Sequence, residues 1–468
     1  MKIIITITFV FISFVSPGQD SLQQLTLQQF LQIVKTYHPV AKQAKILLDK
    51  AAANLTVQRG GFDPVLNAGG NDKTFDGTVY YRNNQTQLNI PTWYGIEVQA
   101  GIEYITGNRN DPQETLGKTS FAGINIPLAK NLLMDKRRAA LQQAKIMQQA
   151  SEAEQRILLN DLMMDATEAY WQWVNAWLGY KTWQQLIDVN RRRYNLVVTA
   201  YKNGDRPAID TVEALTQLQQ FEYLQNEALL NWQNAGVQLS GYLWKSDNSF
   251  YALPATVTPA EKKEQLYDAV IFPELEQIIS DAINKHPELA VYEFKLTALQ
   301  VERKLKFQEL LPKLDFKYNQ LGKGYNIAST ATKTLFNNNY KYGITFSMPL
   351  RLSAGRGEYK MAKLKITETK LQQNQKQADV INKVKKYYNQ LVNYKAQVTL
   401  LQKNYSNYQQ LQSGEETRFF NGESSLFLVN SRENKTQETL LKLIEVSVKY
   451  NKTAASLRWA AGQLWQQQ

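Results

Sequence analysis

The sequence predicts a mixed α and β fold, mainly α, built from two tandem structural repeats. Three observations predict it. Landmark residues recur in order, six of them at one spacing, short segments alternate apolar and polar residues, and other segments stay helix-compatible far longer than a compact domain needs.

The repeat rests on named residues. The only two histidines, His38 and His286, each precede a proline, Pro39 and Pro287, and Pro64 and Pro312 each follow 25 residues later. Ile124-Asn125-Ile126-Pro127-Leu128 parallels Phe346-Ser347-Met348-Pro349-Leu350. Tyr170, Val174, Asn175, Asn203, Gly204 and Leu239 recur as Tyr388, Val392, Asn393, Asn421, Gly422 and Leu457, all at an offset of 218. The first repeat then occupies residues 19–244, with strands over about 63–127 and a helical hairpin over about 130–244. The second occupies 273–468, with strands over about 313–349 and a hairpin over about 355–466. Between them, 245–272 reads as a linker carrying Ser246, Asp247, Pro254 and Pro259. The first helix of each repeat is expected to start at His-Pro, where the missing proline N–H costs nothing. No second ligand stands at helical spacing from either histidine, so no metal site is expected.

The strand segments alternate. Ile96, Val98, Ala100, Ile102 and Tyr104 share one face, and Glu97, Gln99, Gly101 and Glu103 the other. In the second repeat Tyr340, Tyr342, Ile344, Phe346 and Met348 alternate with Lys341, Gly343, Thr345 and Ser347. Such segments suit either a half-buried strand in a soluble sandwich or a barrel strand between lipid and water.

The N-terminus favours the barrel. A positive start, Met1-Lys2, an apolar run from Ile3 to Val15 and the small residues Ser16-Pro17-Gly18 read as a secretory signal peptide, residues 1–18, cleaved near Gly18 or Gln19. No later segment offers 18 consecutive apolar residues, so a membrane crossing would have to be a closed β-barrel. The lipid-facing side would be Ile96, Val98, Ile102, Tyr104, Tyr340, Tyr342, Ile344 and Phe346. Two strands per repeat give about four per chain. The first repeat is longer here, with some 60 residues between Pro64 and Pro127 against 36 between Pro312 and Pro349, which leaves room for an extra hairpin or long outer loops. Bacterial barrels start at about eight strands, so a cyclic oligomer is required, and three copies give about twelve.

The helices are long. From about Leu132 to Lys202 there is no proline and one glycine, Gly179. At 1.5 Å per residue that is roughly 100 Å. Val384, Tyr388, Leu391, Tyr394, Val398, Leu401, Tyr405 and Tyr408 form a coiled-coil-like seam. Leu162, Ala166, Ala169, Trp173, Trp177 and Tyr180 on the matching helix read as packing residues. Gly204 and Gly422, each after an asparagine, can end a helix in the left-handed conformation. Asp205 and Glu423 would open the returning helix, where acids are favoured.

Taken in order, these pieces resemble the TolC-type outer-membrane efflux proteins over nearly the whole chain after the signal peptide. The motifs that carry the resemblance are Phe62-Asp63-Pro64 at the strand entry, the exits at Pro127 and Pro349, and the tips Tyr201-Lys202-Asn203-Gly204-Asp205 and Phe419-Phe420-Asn421-Gly422-Glu423. The resemblance implies a homotrimer: a transmembrane β-barrel continued by a coiled-coil α-barrel that projects into the periplasm of a Gram-negative cell. It implies a passive exit duct in a tripartite efflux or type I secretion system. The partners would be a periplasmic adaptor, an inner-membrane pump of the RND or ABC type, and outer-membrane lipid. It implies no cofactor. The tip would be the gate, with Asp210 and Glu213 at acidic entrance positions, Arg206 and Arg418 as their partners, and Gly204, Asp205, Gly422 and Glu423 forming the turns. Leu428 and Ser431 stand where some members carry aspartates in the second repeat.

Composition excludes other classes. Zero cysteines rule out disulfides, thiolate metal sites and a cysteine nucleophile. Leu116-Gly117-Lys118-Thr119 ends like a phosphate-binding loop, but Pro112 stands where that loop needs its first glycine. No catalytic elbow or zinc motif occurs, and an enzyme is not expected. A net charge of +12 is compatible with nucleic acid, but the basic residues are scattered and the signal peptide argues against it. A secreted coiled-coil adaptor without a barrel is the main alternative.

Overall fold

The computed structural model describes residues 24–108, 114–261, 266 and 271–466. The signal peptide and its cleavage point lie outside the described residues. The chain runs β1 (Gln24–Leu25), α1 (Leu27–Tyr37), α2 (Pro39–Arg59), β2 (Val65–Phe75), β3 (Thr78–Pro91), β4 (Glu97–Thr106), β5 (Gly117–Pro127), α3 (Lys136–Lys202) and α4 (Ala208–Ser240). After β6 (Thr258–Pro259) follow α5 (Leu275–Lys285), α6 (Pro287–Gln308), β7 (Lys313–Lys323), α7 (Ile327–Ala331), β8 (Tyr340–Ser347), α8 (Ser353–Phe420) and α9 (Leu426–Ala460). The fold is mainly α with one substantial sheet.

Two expectations about element number need correction. His-Pro does not open the first helix of either repeat. Helix α1 precedes His38 and α5 precedes His286. A capping box, in which Thr26 and Gln29 each accept the other's backbone N–H, starts α1 and was readable as Thr-x-x-Gln. The histidines themselves cap α2 and α6: Nδ1 of His38 accepts from the Val40 N–H and Nδ1 of His286 from the Glu288 N–H, both at 3.2 Å.

The second correction is the strand count. The sheet has six strands, not about four, in the order β2-β3-β4-β5-β7-β8, all antiparallel. The surplus is the β2–β3 hairpin. Its turn is Asp76-Gly77, both residues at positive φ (54° and 72°), which suits a tight hairpin. The run after Pro64 is strand-like, but Asn67, Asn71, Asp72 and the two glycines Gly69 and Gly70 blur the alternation of β2.

The helices pack as expected from their seams. On α8, Val384, Leu391 and Val398 are buried against Leu443, Val446, Tyr450 and Leu457 of α9. On α3, Leu162, Ala166, Ala169 and Trp173 enter a core with Phe30 and Val34 of α1 and Leu239 at the end of α4. Tyr180 stacks on Trp232 of α4 with ring centroids 5.4 Å apart, and Trp177 packs tilted against the same ring at 4.7 Å. Tyr170 ties the start of the chain to this core by donating its hydroxyl to the Leu25 carbonyl at 2.7 Å. Helices α3 and α8 have 67 and 68 residues, so each is roughly 100 Å long. No helix among the described residues is long and apolar enough to cross a membrane.

Candidate functional site

The sheet sorts its residues by register. Paired residues lie side by side on one face, so rows can be read across the strands. One row runs Ile90, Val98, Ile124, Tyr318, Tyr342. The next runs Leu66, Leu88, Ala100, Ala122, Gln320, Tyr340. Ile126, Phe316 and Ile344 form a third, and Leu314 and Phe346 a fourth. Thus Val98, Ile102, Tyr104, Tyr340, Tyr342, Ile344 and Phe346 occupy one face. Ile96 stands outside β4: its carbonyl is taken by the N–H and hydroxyl of Thr92, closing the β3–β4 turn.

The other face is mainly polar, with Ile105, Phe121 and Leu321 as its apolar exceptions. One row is Asn89, Gln99, Gly123, Asn319, Lys341, and another is Glu97, Asn125, Lys317, Gly343. Gln99 donates to Asn319 at 2.6 Å and accepts from Gln87 at 3.2 Å. This face lines a depression of about 600 Å³. Both edge strands, β2 and β8, are exposed along their whole length. Pro127 ends β5 opposite Asp315, and Pro349 follows β8 shortly before α8. Pro127 needs no N–H of its own, and the contact with β7 continues through the Leu128 N–H, which donates to the Leu314 carbonyl at 2.7 Å.

At the far end, the two helical hairpins turn alike. Gly204 and Gly422 have φ of +83° and +79°. The Asp205 N–H reaches the Ala200 carbonyl at 2.9 Å, and the Glu423 N–H reaches that of Arg418 at 2.8 Å. These bonds consume carbonyls that the helix ends leave free. Asp205 and Glu423 therefore belong to the turns rather than to the returning helices. Helix α4 starts after Pro207, and α9 after Ser425, whose side chain accepts from the Leu428 N–H.

The charged tip residues divide into separate groups. Arg206 pairs with Asp210 at 3.6 Å, donates to the Phe419 carbonyl at 3.0 Å and lies 3.9 Å over the Phe419 ring. It thereby joins the first hairpin to the second. Arg418 instead faces Glu415, at 3.7 Å. Glu213 accepts from the Asn430 side chain at 3.2 Å. Burial raises the Glu213 pKa, the Asn430 bond opposes this, and Asp210 adds to it.

A stronger junction lies one level up, at residues the sequence did not single out. Arg193 on α3 donates to Glu433 on α9 at 2.8 and 3.2 Å and to Glu416 on α8 at 3.1 Å. Asn190 adds a bond to Glu433 at 3.1 Å. Beside it, Val189, Leu196 and Phe420 line an apolar groove of about 330 Å³ between the hairpins. Among the described residues no group of three or more potential ligands could hold a metal ion.

Residues 278–463 match the family described as outer membrane efflux protein. No curated protein sequence matches the chain. Solved structures do match in fold. A membrane protein from Pseudomonas aeruginosa superposes with a TM-score of 0.66 at 15% identity, covering 94% of this chain and 91% of that one. The Campylobacter jejuni CmeC outer membrane channel gives 0.61 at 15%, covering 94% and 86%. The open state of the Neisseria gonorrhoeae MtrE outer membrane channel gives 0.65 at 11%, covering 94% and 89%. The resemblance to TolC-type outer-membrane efflux proteins is borne out twice, by the family match in the second half and by the fold of the whole chain.

Proposed function

We propose that the chain is one subunit of a homotrimeric outer-membrane efflux channel. The single observation that carries this reading is the sorted sheet. Mainly apolar rows on one face, mainly polar rows on the other and two open edges are what a shared barrel wall needs between lipid and water. Six strands are still too few to close alone, since bacterial barrels start at about eight. An exposed sheet edge is also a template for pairing, so β2 and β8 are the natural seams between copies. In this reading the sheet spans the outer membrane, and the α3–α4 and α8–α9 hairpins of three copies form a tunnel through the periplasm. Solutes pass along it without a lipid barrier, driven by a partner.

The hairpin tips are the proposed gate and docking end. Asp210 and Glu213, in three copies each, would charge the entrance. A periplasmic adaptor and an inner-membrane pump of the RND or ABC type would complete the assembly. The two tandem repeats give each subunit two hairpins of similar length, which suits a pseudo-sixfold helical pipe. Supporting this are the family match and the fold shared with known outer-membrane channels.

Membrane fractionation followed by non-denaturing electrophoresis tests the proposal. A trimer that sediments with outer membranes and needs detergent for extraction is expected. A monomer released by salt and buffer alone would overturn it and favour a soluble coiled-coil adaptor.

A further inference from the structure

Among the polar side chains on the apolar face of the sheet, Ser120 on β5 and Gln320 on β7 are both covered by one loop. Ser120 pairs across the ladder with Ile102, and Gln320 with Ala122, so both point to the face that carries Val98 and Ile124. An unpartnered hydroxyl or amide facing hydrocarbon costs several kcal/mol by order of magnitude. Neither is unpartnered here. The β7–β8 connection, residues 324–339, folds back over this face. Thr330 on α7 bonds the Ser120 hydroxyl at 2.9 Å. Gln320 donates to the Asn339 carbonyl at 2.9 Å and accepts the Tyr318 hydroxyl at 2.6 Å. Tyr318 in turn accepts from the Phe336 N–H at 2.8 Å. Ser120, Gln320, Tyr318 and Thr330 are all buried by this arrangement. Gly322 makes room for it: a Cβ there would sit 1.9 Å from the Thr330 hydroxyl.

The loop's outer surface carries two neighbouring apolar side chains among exposed polar ones, which include Lys333, Asn337 and Asn338. Leu335 is 64% exposed and Phe336 55%. Phe336 has φ of 59°, a conformation bulky side chains rarely adopt. That conformation sets its ring 4.7 Å from Tyr318 and 5.5 Å from Tyr340, extending the aromatic row that continues to Tyr342. Farther along the strands the same face turns polar, with Asn84 and Lys118 flanking Tyr104. The loop therefore sits at the end of the apolar rows, where barrels place aromatic girdles.

We infer that the β7–β8 loop is a lipid-contacting clasp. It satisfies the polar groups of the wall and presents Leu335 and Phe336 to the boundary between acyl chains and headgroups. This rests on the barrel reading above. It adds that this loop is part of the membrane surface rather than a flap in the aqueous medium or over the pore mouth.

The absence of cysteine makes the test clean, because single cysteines can be introduced without removing any. Spin labels at Phe336→Cys, Ile344→Cys and Lys341→Cys in the liposome-reconstituted protein are probed with oxygen, which partitions into lipid, and a water-soluble nickel chelate. The Phe336 label is expected to follow Ile344, with oxygen collisions exceeding nickel collisions, while Lys341 shows the reverse. A Phe336 label that favours nickel while Ile344 favours oxygen overturns the clasp and leaves the barrel standing. Nickel preference at both positions overturns the barrel reading and the clasp with it. Leu335→Cys serves as the reporter if the Phe336 variant fails to assemble.

Discussion

Arg193 and Glu433 are joined by two hydrogen bonds across the hairpins, at 2.8 and 3.2 Å, with the carboxylate fully buried. The pair links α3 to α9 close to the tip, and Glu416 extends it to α8 at 3.1 Å. Removing one member of a buried pair leaves an uncompensated charge, which costs roughly 3–5 kcal/mol. Arg193→Ala or Glu433→Ala should therefore lower the thermal unfolding midpoint sharply in detergent. Replacing both together, Arg193→Met with Glu433→Leu, should recover most of the loss, since apolar pairs of similar volume substitute well for buried ion pairs. A double variant as unstable as the single ones would show that the cost lies in packing rather than in charge.

This junction also marks where sequence reading ran out. The tips were legible because Gly204 and Gly422 answer to local chemistry: a helix end needs a residue that tolerates positive φ. The two faces of the sheet were legible because alternation is a property of a single strand. The Arg193–Glu433 pair is neither local nor repeated. An offset of 218 from these positions lands on Leu411 and Leu215, so a comparison of the repeats passes over them. Arg193 also sits in the run Arg191-Arg192-Arg193, which reads as solvated surface until packing separates its members. The β2–β3 hairpin did leave a signal, Asp76-Gly77, but its flanking strand lacked alternation to support it.

Gln99 and Asn319 bond at 2.6 Å across an intervening strand, because Gly123 between them has no side chain. A Cβ on Gly123 would sit 2.0 Å from the Tyr318 carbonyl oxygen and 2.1 Å from the Asn319 side-chain oxygen. The carbonyl belongs to the ladder between β5 and β7, the seam between the two halves of the chain. Gly123→Ala should therefore reduce the yield of assembled oligomer severalfold on native gels. Gly179→Ala, on α3 away from the edge strands and with nothing within 4 Å of its Cβ, should assemble normally. Equal yields from the two would mean that the sheet can shift to accept the methyl group.

If Asp210 and Glu213 charge the entrance, their removal should be visible in transport and not in folding. Asp210→Ala with Glu213→Ala should change single-channel conductance or weaken cation preference in planar bilayers. Burial holds the Glu213 pKa above the ordinary carboxylate range. Its share of the cation preference should therefore fade at a higher pH than that of exposed acids as the solution is acidified. Unchanged conductance and selectivity in the double variant would remove the gate role while leaving the fold intact.

The two histidines make a final prediction about pH. Each caps a helix through Nδ1, and each ring also feels a backbone group, that of Gly241 for His38 and of Ala460 for His286. A protonated Nδ1 cannot accept the capping bond. Burial is the main cause that lowers both pKa values, opposed by those backbone bonds. Around His286, Glu288 raises the value while Lys383 and Lys376 lower it. The neutral ring is thus favoured in the folded state. The stability it provides is complete above the unfolded value of about 6.5 and is lost as pH falls from there through the lowered folded value. His286→Asn keeps an acceptor at the cap but cannot titrate, so the unfolding midpoint should depend less on pH below about 6.5. His286→Ala should cost roughly 1 kcal/mol at neutral pH, the usual loss for an N-cap. An asparagine variant with the full pH dependence of the parent would place the sensitivity elsewhere.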